Sequence, residues 1–117
     1  MGLDLRLLPF DADFFSHTIL DCERRSDLFE AVLKVEGKIG RDVPDNFQSF
    51  TGKSADASPC YGKTIRTPYG ENLKYMLAGD LVKFAKHVDV TDNEKNRAIW
   101  AYLTELNPSN KVALFWH

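Results

Sequence analysis

The residues with the most to offer chemically lie in the middle of this chain. Thr51-Gly52-Lys53-Ser54 carries the Gly-Lys-Ser that ends a phosphate-binding P-loop. Such a loop cradles phosphate oxygens with backbone N–H groups and reaches the outer phosphates with its lysine. It needs a glycine five positions before Gly52 and a helix directly after. Phe47 occupies that earlier position, and Ala55 to Pro59 reads as loop, so the spacing argues against nucleotide hydrolysis. What remains is a cationic, glycine-punctuated segment. Lys53, Lys63 and Arg66 stand among small residues, Gly52, Gly62 and Gly70 offer backbone N–H groups, and Tyr61 and Tyr69 flank the run. These types suit a nucleotide-like anion, with cations and N–H groups on phosphate and a tyrosine ring on the base. Lys53, Tyr61, Lys63, Arg66 and Tyr69 are therefore the candidate ligand-binding residues. A solvated loop whose tyrosines rest on the core accounts for the same composition, because glycine serves turns for conformational reasons alone. Both readings stay open.

Other chemistry has the residue types without the spacing. His17, Cys22, Cys60 and His117 are zinc-ligand types, but no C-x-x-C or H-x-x-x-H pair nucleates a site. No metal and no cofactor are expected. Nucleophilic catalysis would need Cys22 or Cys60 beside a histidine, and no motif orients either thiol. Whether the two cysteines meet is not legible from the sequence; two free thiols suit a reducing compartment. Carboxylates are scattered, so no acid–base pair stands out and no catalytic residue is assigned. Glu23-Arg24-Arg25 could meet an acidic partner but reads more simply as a solvated helix start.

The elements that must position these residues follow from periodicity. Leu3, Leu5 and Leu7 alternate with Asp4 and Arg6, giving a strand over Leu3–Leu8 with one wet face, ended by Pro9. Phe14 and Phe15 form a plug, and a short strand falls between Ser16 and Leu20. Leu28, Val32 and Val35 make a helical stripe widened by Phe29 and Leu33, so a helix spans 26–36. Asp21 or Ser26 caps it and Gly37 or Gly40 ends it. Phe47 and Phe50 anchor a brief extended piece, and about 51–70 is an irregular loop. Leu73, Tyr75 and Leu77 alternate with Lys74 and Met76 as a strand before a helix at 80–88. Thr91-Asp92-Asn93-Glu94 fits a capping box for a helix at 92–106, with Ile99, Trp100, Leu103 and Leu106 inward and Lys95, Asn96 and Arg97 toward water. Asn107-Pro108 stops that helix. Lys111–Trp116 is apolar on both faces, Val112, Leu114 and Trp116 on one and Ala113 and Phe115 on the other, which marks an interior strand. It should share a sheet with the first strand. Strands without helical crossovers give one α+β domain, a mostly antiparallel sheet with about three helices.

Composition bounds the function. At 117 residues and 44% hydrophobic content the chain can bury one core. A net charge of −2 argues against a dedicated nucleic-acid binder, which usually carries a basic excess. No apolar run is long enough to span a bilayer, no signal-peptide pattern opens the chain, and a cytoplasmic setting is expected.

Several strings carry a resemblance: Met1-Gly2-Leu3-Asp4-Leu5-Arg6-Leu7-Leu8-Pro9-Phe10-Asp11, Phe15-Ser16-His17-Thr18-Ile19-Leu20, Cys22-Glu23-Arg24-Arg25, Thr67-Pro68-Tyr69-Gly70-Glu71, Asn96-Arg97-Ala98-Ile99-Trp100-Ala101-Tyr102-Leu103 and Val112-Ala113-Leu114-Phe115-Trp116-His117. Together they resemble a group of small, uncharacterised proteins of bacteriophages and prophages. The resemblance implies a setting, the cytoplasm of an infected bacterium, and no residue roles. Three functions are carried forward. The first is a non-enzymatic accessory protein that binds a host macromolecule, such as a host protein, by contact. The second is a small-ligand binder that holds a nucleotide-like anion in the 51–70 loop. An enzyme ranks last. Partner identity and oligomeric state are not encoded legibly.

Overall fold

A chain with one strand apolar on both faces needs cover on both sides of its sheet, and the fold supplies it. The computed structural model describes residues 4–10, 15–16, 18–53, 55–56, 59–63, 65–85 and 93–117, with backbone only at 15, 50–53 and 59–61. Within these residues the strands are β1 (Leu5–Phe10), β2 (Phe15–Ser16), β3 (Leu20–Asp21), β4 (Arg41–Asp42), β5 (Gln48–Lys53), β6 (Pro59–Lys63), β7 (Lys74–Leu77) and β8 (Lys111–Trp116). The helices are α1 (Ser26–Ile39), α2 (Ala78–Phe84) and α3 (Glu94–Glu105). The architecture is α+β: a five-stranded antiparallel sheet in the order β3-β1-β8-β7-β4, and a three-stranded sheet in the order β2-β5-β6. β8 is interior and pairs β1 along its whole length, as its two apolar faces require.

The two faces of the large sheet carry separate cores. Leu5, Leu7, Met76, Val112, Leu114 and Trp116 pack under the three helices. Leu8, Phe10 and Ala113 face the other way, onto Val43, Phe47 and Leu73. Phe47 leads into β5 and meets the Phe10 ring edge-on at 4.7 Å. The face of β1 expected to be wet is therefore covered by Leu8 and Phe10, and only its Arg6 end meets water, paired with Asp21 at 2.9 Å. Nor does Pro9 end the strand. Asp4 and His117 exchange two backbone hydrogen bonds, at 2.8 and 2.9 Å. By alternation Pro9 then turns its nitrogen away from β8, toward the side where β3 pairs only Arg6 and Leu7. The missing N–H falls where no partner strand stands among the described residues.

Helix boundaries shift for local reasons. α1 runs through Gly37 and stops at Gly40, whose N–H bonds the Glu36 carbonyl at 2.8 Å. A Cβ on Gly40 would sit 2.5 Å from that oxygen, so only glycine fits the close turn. Its N-cap position is Arg25, without a side-chain cap; neither Asp21 nor Ser26 serves. α2 starts directly from β7 and ends at Phe84, earlier than expected; 86–88 lie outside the described residues. So do Thr91 and Asp92 of the anticipated capping box. Asn93 caps α3 instead, its side-chain oxygen accepting the Asn96 N–H at 3.0 Å. Phe14 and the Phe15 and Phe50 side chains also lie outside.

Asn96 itself, expected to face water, is 1% exposed. Its Oδ1 accepts the Glu23 N–H at 2.7 Å and its Nδ2 donates to the Glu23 carbonyl at 3.1 Å. A carboxamide is the side chain that offers one acceptor and one donor side by side, and here it completes the backbone just past β3. On α3 Trp100 is buried and donates its indole N–H to the Leu81 carbonyl at 3.0 Å, tying α3 to α2. Trp116 reaches α1 the same way, donating to Glu36 Oε1 at 3.3 Å. No described helix is long and apolar enough to cross a membrane.

Candidate functional site

The stretch expected as an irregular loop at about 51–70 holds a hairpin, part of a second one and their join. β5 and β6 pair antiparallel, Gln48 opposite Lys63 and Lys53 opposite Pro59, with a register shift between Phe50 and Gly52. Lys53 and Lys63 therefore stand at opposite ends of that hairpin, roughly 13 Å apart at the rise of an extended strand. The Lys53 and Tyr61 side chains lie outside the described residues; Lys63 and Arg66 are exposed.

The second hairpin covers 65–73, where Arg66 bridges Asn72 and the Leu73 N–H bonds the Ile65 carbonyl. Its tip is Thr67-Pro68-Tyr69-Gly70. Pro68 presets the first corner, the Gly70 N–H closes the turn on the Thr67 carbonyl at 2.9 Å, and Gly70 takes φ +84°, which favours glycine. The Thr67 N–H donates to the Glu71 carbonyl at 2.8 Å, and Thr67 Oγ1 accepts from the N–H groups of Tyr69 and Glu71. The backbone donors that the sequence offers to an anion at Gly70 are thus turned inward on Thr67. Tyr69 is 44% exposed at this tip. The five candidate residues are distributed over two hairpins, and no described cavity gathers Lys63, Arg66 and Tyr69.

The remaining polar chemistry is structural. Arg24 grips Asp4 with two bonds, Nε to Oδ1 at 3.0 Å and Nη2 to Oδ2 at 2.7 Å, and Arg25 lies 3.7 Å from Asp27. The Arg24 hydrogen bond lowers the Asp4 pKa, and Asp4 in return raises that of Arg24. Both arginines of Glu23-Arg24-Arg25 are accordingly paired within the fold. Cys22 is buried, and burial, with Asp21 nearby, pushes its thiol up to about 12, so the thiolate nucleophile is scarce at neutral pH. His17 and the Cys60 side chain lie outside the described residues, among which no three metal-ligating side chains cluster. His117 lies beside Phe115, ring centroids 5.7 Å apart.

The concave surface lies elsewhere, on the helical side. α1 carries more apolar residues than one face can bury. Leu28, Phe29 and Val32 meet the core, while Ala31, Val35 and Ile39, spaced by four, form a second stripe on its flank. With Phe84 of α2 they floor a groove of about 460 Å³, edged by Lys34, Lys83 and Asp80. Beyond Ile39 and Asp80 it continues into a smaller hollow of about 300 Å³ lined by Arg41, Tyr75, Met76 and Leu77. Ile39 is 46% exposed and Leu77 37%. Leu77, which alternates with Leu73 and Tyr75, edges this furrow, while Met76 takes the buried place under the helices. A third hollow, about 320 Å³, separates Ile19 and Asp21 from Lys95 and Tyr102 of α3. The furrow was legible only as an over-wide stripe, since a sequence does not say how two helices sit side by side.

No family model, curated protein or solved structure matches this chain.

Proposed function

We propose that the chain is a small, non-enzymatic accessory protein that binds a macromolecule of a bacterial host by contact, and that its binding surface is the furrow between α1 and α2. The observation that carries this reading is the exposed apolar lining: Ile39 of α1 and Leu77 of β7 open to solvent beside the half-buried Val35 around a concave floor. Apolar surface left concave and exposed is the kind that partner proteins cover. The likeness of its residue strings to phage and prophage proteins supports the host setting, the cytoplasm of an infected bacterium. The side chains best suited to catalysis have structural work to do: Cys22 fills the core, and Asp4, Asp21 and Asp42 each hold a cation. A nucleotide-like anion on Lys53, Tyr61, Lys63, Arg66 and Tyr69 is the weaker reading, because the hairpin register parts the two lysines.

The test compares capture from bacterial lysate, with and without nuclease, by immobilised wild type and by Ile39→Asp. Ile39 is exposed enough for the variant to fold, which circular dichroism checks. A protein retained by the wild type and lost by the variant is expected. Identical retention on both, or retention that vanishes with nuclease, overturns the reading.

A further inference from the structure

The furrow's rim carries information about what fits it. Lys34 of α1 and Lys83 of α2 edge the groove, and Arg41 lines the hollow beyond Ile39; Asp80 is the one carboxylate among the described lining residues. The protein as a whole is acidic, at −2, so this cationic edge is a local departure. Among the described residues Lys34, Lys83 and Arg41 make no ion pair, in contrast to Arg6, Arg24 and Lys74, which are paired within the fold. Long cationic side chains at an apolar edge lay their methylenes along the floor and leave the charged ends free to meet carboxylates.

Backbone geometry narrows the occupant further. A partner strand needs an open sheet edge; the edge strands of the large sheet, β3 and β4, are two residues long, and β6, the longer edge of the small sheet, does not line the furrow. The larger groove of the furrow is walled by α1 and α2, whose backbone groups bond internally, so recognition there falls to side chains. Ala31, Val35 and Ile39 recur once per turn and extend about 12 Å along α1, which matches two turns or so of a second helix laid alongside. From these observations we infer that the furrow receives an amphipathic helix of a partner protein, with an apolar stripe for the floor and carboxylates on both flanks for Lys34, Lys83 and Arg41. This rests on the reading of the furrow as the binding surface. A second copy of this chain in face-to-face register would set lysine against lysine, which disfavours that occupant.

The experiment uses the full chain, labelled with nitrogen-15, and three synthetic probes: a helical peptide with leucines at i, i+3, i+4 and i+7 and glutamates flanking them, its lysine-flanked twin, and a scrambled control. The glutamate peptide is expected to shift the amides of 31–39 and 80–84, to bind about tenfold more tightly than the lysine twin, and to weaken as salt rises. The double variant Lys34→Glu/Lys83→Glu, both positions exposed, is expected to reverse the order of the two peptides. Equal affinity of both peptides at the furrow overturns the acidic partner and leaves the furrow as the interface. Shifts confined to another surface overturn both readings. Furrow amides that move with protein concentration alone assign it to a second copy and overturn the helix partner. No response to any probe overturns the partner class, with the Ile39→Asp capture still deciding the interface.

Discussion

Replacing Asn96 by alanine should cost this protein about 2–4 kcal/mol, and the figure can be worked from the clamp it makes. The substitution leaves the Asn93 cap in place, because that cap uses the backbone N–H of residue 96. It removes two bonds across 73 residues of chain, to the Glu23 N–H and carbonyl. Each such bond contributes about 0.5–1.5 kcal/mol net, and a buried group left unpaired costs about 1–3 kcal/mol. Glu23 is exposed as a residue, so water can reach part of the orphaned backbone, which keeps the total in the lower half of the combined range. Against a typical stability of roughly 5–15 kcal/mol that is a large share, readable as a lower urea midpoint at unchanged slope. Asn96→Asp sharpens the test. The carboxylate keeps the acceptor for the Glu23 N–H but sets oxygen against the Glu23 carbonyl, where Nδ2 now lies at 3.1 Å. Burial and that carbonyl both raise the new carboxyl's folded pKa above its unfolded value. The folded state then holds the proton more tightly, so the variant's stability is greatest below the unfolded pKa and falls as pH rises through the folded one. A loss under about 1 kcal/mol for Asn96→Ala, with no pH slope for Asn96→Asp, would refute the clamp.

Trp100→Ala should lose about 3–5 kcal/mol, combining a core cavity with the lost bond to Leu81, and chemical denaturation reads it. A small effect would mean that the ring is not holding α3 on α2. Asn93→Ala should cost about 1 kcal/mol through the cap of α3, with helix content at intermediate urea falling in step. Glu36 has its pKa raised from the ordinary 4.5, first by burial, with the Trp116 indole N–H pulling the other way. Because the folded value exceeds the unfolded one, its contribution is full below about 4.5 and is lost as pH rises through the folded value. Glu36→Gln should remove that decline, and parallel stability profiles for variant and wild type above pH 4.5 would count against it. In a Cys60→Ser background, Cys22 should react with a thiol-exchange reagent at pH 8 only as fast as the protein opens; equal rates in native and urea-unfolded protein would deny its burial.

What could be read in advance was whatever periodicity alone decides. Val112, Leu114 and Trp116 against Ala113 and Phe115 announce an interior strand before any partner is known, because both faces demand cover. The stripes of α1 and α3 are legible for the same reason. Asn96 was not, since a polar residue among Lys95 and Arg97 looks solvated until the chain past β3 arrives beside it. Pro9 breaks a strand only if its nitrogen meets a neighbour, and that depends on where β3 stops. The β5–β6 hairpin escaped because its glycines and prolines erase alternation, leaving register to pairing. The candidate ligand residues were grouped by nearness in sequence, whereas the furrow draws on α1, β4, β7 and α2, segments that come together only after folding.

The strand order also governs when the molecule can come into being. β1 and β7 never pair with each other; each is joined to the rest of the large sheet through β8, the last element in the sequence. During synthesis β1 leaves the ribosome early with only the two-residue β3 for company, and β7 with β4. Each presents an open edge of the kind that invites wrong partners. A nascent chain halted before Lys111 holds two half-sheets and an unfilled slot between them. Emergence of Lys111–Trp116 is therefore the event that closes the sheet, and the union of β1 and β7 in one sheet waits for that segment.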